Sequence, residues 1–180
     1  MKGEGIKQRK PMFRGRVVDV ALETVMLPNG REVELEIIRH PGGAAAVALD
    51  PAGRVCLLRQ FRHAAGGWLW ELPAGKIDPG EDPFDTARRE LMEEAGVEAS
   101  GWTPLGRLDS SPGVFTEVIH LYLARDLRHA EHDHEQDEVI EIAWVPLAQA
   151  VEWSLDGTIT DAKTLIGVFR AAALLQRQRM

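Results

Sequence analysis

Cysteine is almost missing from this chain of 180 residues, with Cys56 standing alone. An intrachain disulfide is therefore excluded, and a reducing compartment, the cytoplasm, is expected. Cys56 lies in the apolar run 55–58, where a buried structural thiol is expected rather than a nucleophile. No apolar run approaches the length of a membrane span, and the basic start with Lys2, Lys7, Arg9 and Lys10 leads into no signal-type apolar core. A soluble protein with no membrane partner is the expectation. Net positive charge is missing as well. At a net charge of −7 and a pI near 5.4, nucleic acid is not expected as a partner, and any phosphate that binds is expected to be small. There is neither an internal repeat nor a low-complexity tract. What the chain does have is 44% hydrophobic content over 180 residues, enough for one domain with a full core.

Turn and strand signals organise that content. Residues 1–11 are polar and read as loose, whereas 13–26 and 31–38 alternate about Pro28-Asn29-Gly30, a hairpin signal. Residues 1–40 are expected to form this N-terminal extension, and 41–180 the main domain. Residues 44–49 and 54–61 flank Asp50-Pro51-Ala52-Gly53 and read as a second strand pair, apolar enough for burial on both faces. Residues 68–72, 102–108, 118–123 and 139–145 read as further strands, 146–153 as a short helix, and 161–176 as a longer helix capped by Thr160 or Asp161. Strands and helices in this order, without regular alternation, imply an α+β domain.

One further helix carries the chemistry. Asp82 suits its N-cap, Pro83 its first turn, and Gly96 the left-handed position past its end. At roughly 100° per residue, Phe84, Ala87, Leu91 and Ala95 form an apolar stripe, and Glu90, Glu93 and Glu94 cluster on the flank beside it. Carboxylates so close repel one another unless a cation sits among them, and an all-oxygen donor set suits Mg²⁺ or Mn²⁺. An ordinary solvated face, with Arg88 and Arg89 paired to Glu93, would use the same side chains. It would leave Gly75, Glu81 and the glycine-rich entry to the helix unexplained.

In order, Gly75, Glu81, Arg89, Glu90, Leu91, Glu93, Glu94, Gly96 and Val97 match every fixed position of the Nudix box, G-x5-E-x7-R-E-U-x-E-E-x-G-U with U aliphatic. The chain resembles Nudix hydrolases. Its flanks, Arg59-Gln60-Phe61-Arg62, Glu71-Leu72-Pro73-Ala74-Gly75, and Ser111-Pro112-Gly113 with Glu117, resemble the ADP-ribose and nucleoside-diphosphate-sugar pyrophosphatases, Pro112 being that subgroup's marker. The resemblance spans about residues 17–146.

That resemblance implies a Nudix α/β/α sandwich with a mixed sheet, preceded by the antiparallel hairpin. It also implies a homodimer in which the hairpin crosses to the partner, and a nucleotide-sugar substrate. Glu90 and Glu94 would be metal ligands, Glu93 a ligand or an outer-shell carboxylate, and the Ala74 carbonyl a further ligand. Glu81 and Arg89 would form a bracing salt bridge, with water-mediated metal contact open to Glu81. Arg59, Arg62, Glu71, Pro112 and Glu117 would face substrate. The acidic stretch 128–138, RHAEHDHEQDE, reads as a mobile lid. It would supply the general base through Glu138, or else Glu135, with Glu93 as the remaining choice. Trp68 and Trp70 share one side of an extended segment, where packing or base stacking are both open. Nucleoside triphosphates or dinucleoside polyphosphates as substrates, or a sensing module without catalysis, are the other readings the fold allows.

Overall fold

The structure, a computed structural model, describes residues 5–130 and 140–178. The predicted bases Glu135 and Glu138 lie outside those residues, as do His132 and His134. The elements in order are β1 (Ile6–Arg14), β2 (Asp19–Met26), β3 (Glu32–Arg39), β4 (Gly43–Ala48), β5 (Arg54–Arg62), β6 (Gly67–Glu71), β7 (Ala74–Lys76), α1 (Pro83–Ala95), β8 (Val97–Asp109), β9 (Val118–His129), β10 (Ile140–Pro146), α2 (Leu147–Asp156) and α3 (Ala162–Gln178). The class is α+β, as expected. Two compact units are present, Met1–Gly42 with Asp109–Val118, and Gly43–Leu108 with Ile119–Met180.

In the first unit, β1, β2 and β3 form an antiparallel sheet in that order. The β2–β3 hairpin turns where expected, with Gly30 at φ 79 and its N–H donating to the Leu27 carbonyl at 2.9 Å. The strand before it corrects the sequence reading. Residues 6–14 are β1 rather than a loose tail, and a turn closed by the Gly15 N–H on the Val18 carbonyl at 2.8 Å splits the expected single strand 13–26. Side chains of β1 are exposed along almost its whole length. A strand exposed on both faces needs no apolar alternation, so the pattern that reveals half-buried strands is lacking. Ladder bonds to β2 and ion pairs such as Lys7–Glu32 at 2.6 Å hold it instead.

The second unit is three layers deep. Residues of β4 and β5 alternate between two cores: Ala45, Val47, Val55 and Leu57 join Ala150 of α2 with Val168 and Ala171 of α3, while Ala46, Ala48, Cys56 and Leu58 join Leu91 and Ala95 of α1. That division makes the strands the middle layer and explains why β4 is buried throughout. The pairing expected between 44–49 and 54–61 is not formed beyond a single Leu49–Val55 bridge. Instead β4 lies between antiparallel β7 and parallel β9, giving the order β7-β4-β9-β8, while β5 lies between β10 and β6. Only five residues, Leu49 to Gly53, part the two strands, a hairpin signal overridden by long-range pairing that buries both strands on both faces. Burial pushes the Cys56 thiol up to about 12, so it stays protonated and inert. Among the described residues no helix is long and apolar enough to cross a membrane.

Candidate functional site

Helix α1 begins and ends as its sequence dictates. The Asp82 carboxylate accepts from the Phe84 N–H at 2.8 Å, Pro83 occupies the first turn, and Gly96 closes the helix at φ 62 with its N–H on the Met92 carbonyl at 3.0 Å. These caps fix which turn faces the sheet. Leu91 and Ala87 are fully buried, and Glu94, 3% exposed, points inward with them, a correction to its expected place on the flank. Its burial is compensated. Glu94 Oε2 accepts from the Ala74 N–H at 2.7 Å, tying the helix to β7.

Glu90 is seated against the same short strand. A Cβ built on Gly75 would fall within its carboxylate, so only glycine leaves that space open to it. Gly75 and Ala74 thus meet Glu90 and Glu94, one helical turn apart. Arg89 occupies the outer side: its Nη1 donates to Glu90 Oε1 at 2.7 Å and to Glu93 Oε2 at 2.9 Å, and its Nε to Glu81 Oε1 at 3.0 Å. Arg88 stays outside this cluster, 3.6 Å from Asp85. The expected Glu81–Arg89 brace is therefore formed, and Thr86, unremarked in the sequence, donates its hydroxyl to Glu81 Oε2 at 2.8 Å.

Among the described residues no three acidic, histidine or cysteine side chains converge into a finished cage for a metal. The guanidinium of Arg89 bridges Glu90 and Glu93. Hard carboxylate oxygens and the seat at Gly75 fit a divalent ion once Arg89 yields part of its hold.

Arg89 hydrogen bonds pull the Glu81 carboxyl down to about 2, burial opposing, with Thr86 and the Asp78 N–H adding to the fall. Its folded value lies below its ordinary 4.5, so the stabilisation it brings is complete above 4.5 and is lost as pH falls toward 2. Comparing urea midpoints of the native protein and Glu81→Gln is expected to show a gap at pH 7 that narrows across that window. A gap independent of pH would mean that the brace carries no charge-dependent stability.

The predicted substrate side chains divide. Arg62 and Glu71 share the strand face of Leu58, the face of α1, and Arg62 grips Glu71 through Nε at 2.8 Å and Nη2 at 3.0 Å. Burial raises the Glu71 carboxyl, but Arg62 and Lys163 more than offset this and hold it below the usual range. Lys163, which reasoning from sequence missed, bonds Glu71 across 92 residues. Arg59 is not brought to the carboxylates. It follows Leu57 onto the α2 and α3 face, 3.3 Å from Glu141 and stacked over Trp68. Trp68, 41% exposed, meets Phe61 edge-on, whereas Trp70 stacks on Trp153 of α2. Pro112 and Glu117 belong to the other unit, where Glu117 lies 3.4 Å from His40. Arg128 and His129, expected in the lid, end strand β9, with Arg128 bonded to Glu98 at 2.7 Å.

Residues 39–166 match the NUDIX domain family. A Bacillus subtilis (strain 168) protein named ADP-ribose pyrophosphatase is 36% identical over 162 residues, covering 89% of this chain and 88% of its own. A Mycobacterium tuberculosis (strain ATCC 25618 / H37Rv) protein of the same name is 37% identical over 166 residues, covering 91% and 80%. A solved structure described as an ADP compounds hydrolase superposes with a TM-score of 0.83 at 24% identity, over 96% of this chain and 94% of that one. That last likeness is one of fold.

Proposed function

Because the chain belongs to the NUDIX family, we propose that it hydrolyses the pyrophosphate bond of ADP-ribose or a related nucleoside-diphosphate sugar, releasing a nucleoside monophosphate and a sugar phosphate. The observation that carries this reading is the meeting of Glu90 and Glu94 with Gly75 and Ala74. Enzymes of this family generally use divalent metal ions. Glu90, Glu94 and the Ala74 carbonyl would hold the ion, Mg²⁺ or alternatively Mn²⁺, with Glu93 a further ligand or a carboxylate that reaches it through water. When bound, it supplies charge neutralisation at the diphosphate and a more acidic attacking water.

The chain's own residues do the rest. Arg62, oriented by Glu71, presents a planar guanidinium suited to a diphosphate. Arg89, released in part from Glu90, keeps its hold on Glu81 and so steadies the loop before α1. A carboxylate takes the proton of the attacking water, Glu138 first, with Glu135 and Glu93 as alternatives. By the resemblance alone, Pro112 and Glu117 of the other unit are further candidates to meet substrate. Residues 1–40 act as an extension that holds a homodimer. Met12 and Phe13 of β1 stand 55% and 60% exposed, apolar surface that a partner would cover. A cytoplasmic location fits the single cysteine.

Purified protein with Mg²⁺ is expected to split ADP-ribose into AMP and ribose 5-phosphate. ADP-glucose, GDP-mannose, NADH and nucleoside triphosphates complete the panel, with products resolved. Activity on triphosphates alone would reject the sugar-nucleotide reading. Binding of ADP-ribose without turnover would mark a sensing module.

A further inference from the structure

The segment that carries the Ala74 carbonyl is tethered at every residue. Glu71 is held by Arg62 and Lys163, the Leu72 N–H donates to Thr164 Oγ1 at 2.9 Å, the Pro73 carbonyl accepts from the Ala46 N–H at 2.9 Å, and the Ala74 N–H donates to Glu94. Two of these five partners, Lys163 and Thr164, come from the first turn of α3, 92 residues away in sequence. Neither of them belongs to the Nudix box.

Thr164 is fully buried, and the direction of its hydroxyl bond is determined. Asp161 Oδ2 accepts from the Thr164 N–H at 3.0 Å and from the Thr164 hydroxyl at 2.6 Å, and it forms an ion pair with Lys163 Nζ at 3.0 Å. An ionised carboxylate only accepts, so the hydroxyl proton points to Asp161 and a lone pair is left facing the Leu72 N–H. Gly167, one turn further along α3, brings the helix close against the same residue: a Cβ there would lie 2.6 Å from Leu72 Cδ1. The Leu72 side chain is thus packed directly on α3. The position of the Leu72 peptide sets that of Ala74 two residues later, and through Ala74 the spacing between β7 and Glu94.

We infer that Asp161 and Thr164 are positioning residues for the metal site, fixing from α3 the segment 71–74 whose carbonyl and N–H face the ion and its ligand Glu94. The inference rests on the assignment of Glu90, Glu94 and the Ala74 carbonyl to the metal. Side chains that orient metal ligands without touching the ion typically change affinity by about 10–100-fold when removed. Valine at position 164 keeps the shape of threonine but leaves the Leu72 N–H unmet and frees the peptide to turn. Serine keeps the hydroxyl.

The test titrates Mn²⁺ by electron paramagnetic resonance into the full chain without substrate, so that binding is read apart from turnover. Thr164→Val is expected to weaken Mn²⁺ binding by about 10-fold, with Thr164→Ser within about 2-fold of the native protein. Val168→Ala, a cavity in the same helix with no bond to the segment, lowers the melting temperature and leaves Mn²⁺ binding unchanged. Should Thr164→Val be insoluble, Asp161→Ala takes its place with the same expectation. Native affinity in the hydroxyl-free variant, or an equal loss in Val168→Ala, overturns the positioning role. Glu94→Gln separates the two failures: if the native protein binds no Mn²⁺ that this substitution weakens, it is the metal site itself that is wrong.

Discussion

Glu94→Gln is expected to lower kcat/KM on the sugar nucleotide by about a thousandfold, since a metal ligand supplies several kcal/mol of transition-state stabilisation and each 1.36 kcal/mol is a factor of ten. The fold should survive the change. Glu94 is buried and accepts from the Ala74 N–H at 2.7 Å, and the glutamine carbonyl accepts that bond equally well. What glutamine lacks is the negative charge and a second acceptor oxygen, and its amide turns two donors toward the place of a cation. Substrate affinity measured with the metal present should change far less than turnover, because Glu94 is proposed to touch the ion rather than the nucleotide. Glu93→Gln offers the contrast. That side chain is 32% exposed and bonded to Arg89, so its loss is expected to cost about tenfold, as for an outer-shell partner. Circular dichroism and melting curves check the fold, and initial rates with resolved products check the chemistry. A fully active Glu94→Gln would remove this residue from the metal and leave its burial as a purely structural bond to β7.

Local chemistry makes α1 legible in the sequence. Its N-cap, first-turn proline and left-handed C-terminal glycine each act within one turn, so Asp82, Pro83 and Gly96 announce its bounds without tertiary context. The β2–β3 hairpin was legible for the same reason, through Asn29 and Gly30. Long-range partnership was not. Whether β4 pairs with β5 or with β7 and β9 depends on burial across the whole sheet, and the turn at Asp50 to Gly53 reads alike in either case. Strand β1 is solvated on both sides, so nothing in its composition distinguishes it from a tail. At the site, the helical wheel gathered Glu90, Glu93 and Glu94 but not their different fates, because only the packing of α1 on β4 and β7 decides which one turns inward. Side chains three apart on a strand point to opposite faces, so Arg59 and Arg62 separate, and only the sheet decides which of them meets the α1 face. Lys163 and Thr164 gave no local sign, since their roles exist only where α3 returns to Glu71 and Leu72.

Gly75→Ala is expected to cost about a hundredfold in kcat while shifting stability by less than about 1 kcal/mol, since a misplacement of about 1 Å at a reacting centre is enough for a loss of that size. The backbone at Gly75 does not have the positive φ that would demand glycine on conformational grounds. Its need for glycine is spatial. All three nearest atoms that a Cβ would meet belong to the Glu90 carboxylate, the free end of a flexible side chain, so the strain is relieved by rotating that carboxylate away and not by moving β4 or α1. The protein then folds normally and loses one ligand's position. Glu90 already has another partner, since Arg89 Nη1 donates to it at 2.7 Å, and displacement from Gly75 favours that pair over the metal. The loss should therefore appear as a higher Mg²⁺ requirement together with a lower kcat, partly restored by excess metal, with the nucleotide's own affinity little changed. Glu90→Gln in the Gly75→Ala background should add less than it does alone, because both changes empty the same position. If Gly75→Ala instead lowers the melting temperature sharply and leaves activity per folded molecule intact, the close approach of Glu90 serves the packing of β7 on α1 and not the placement of an ion.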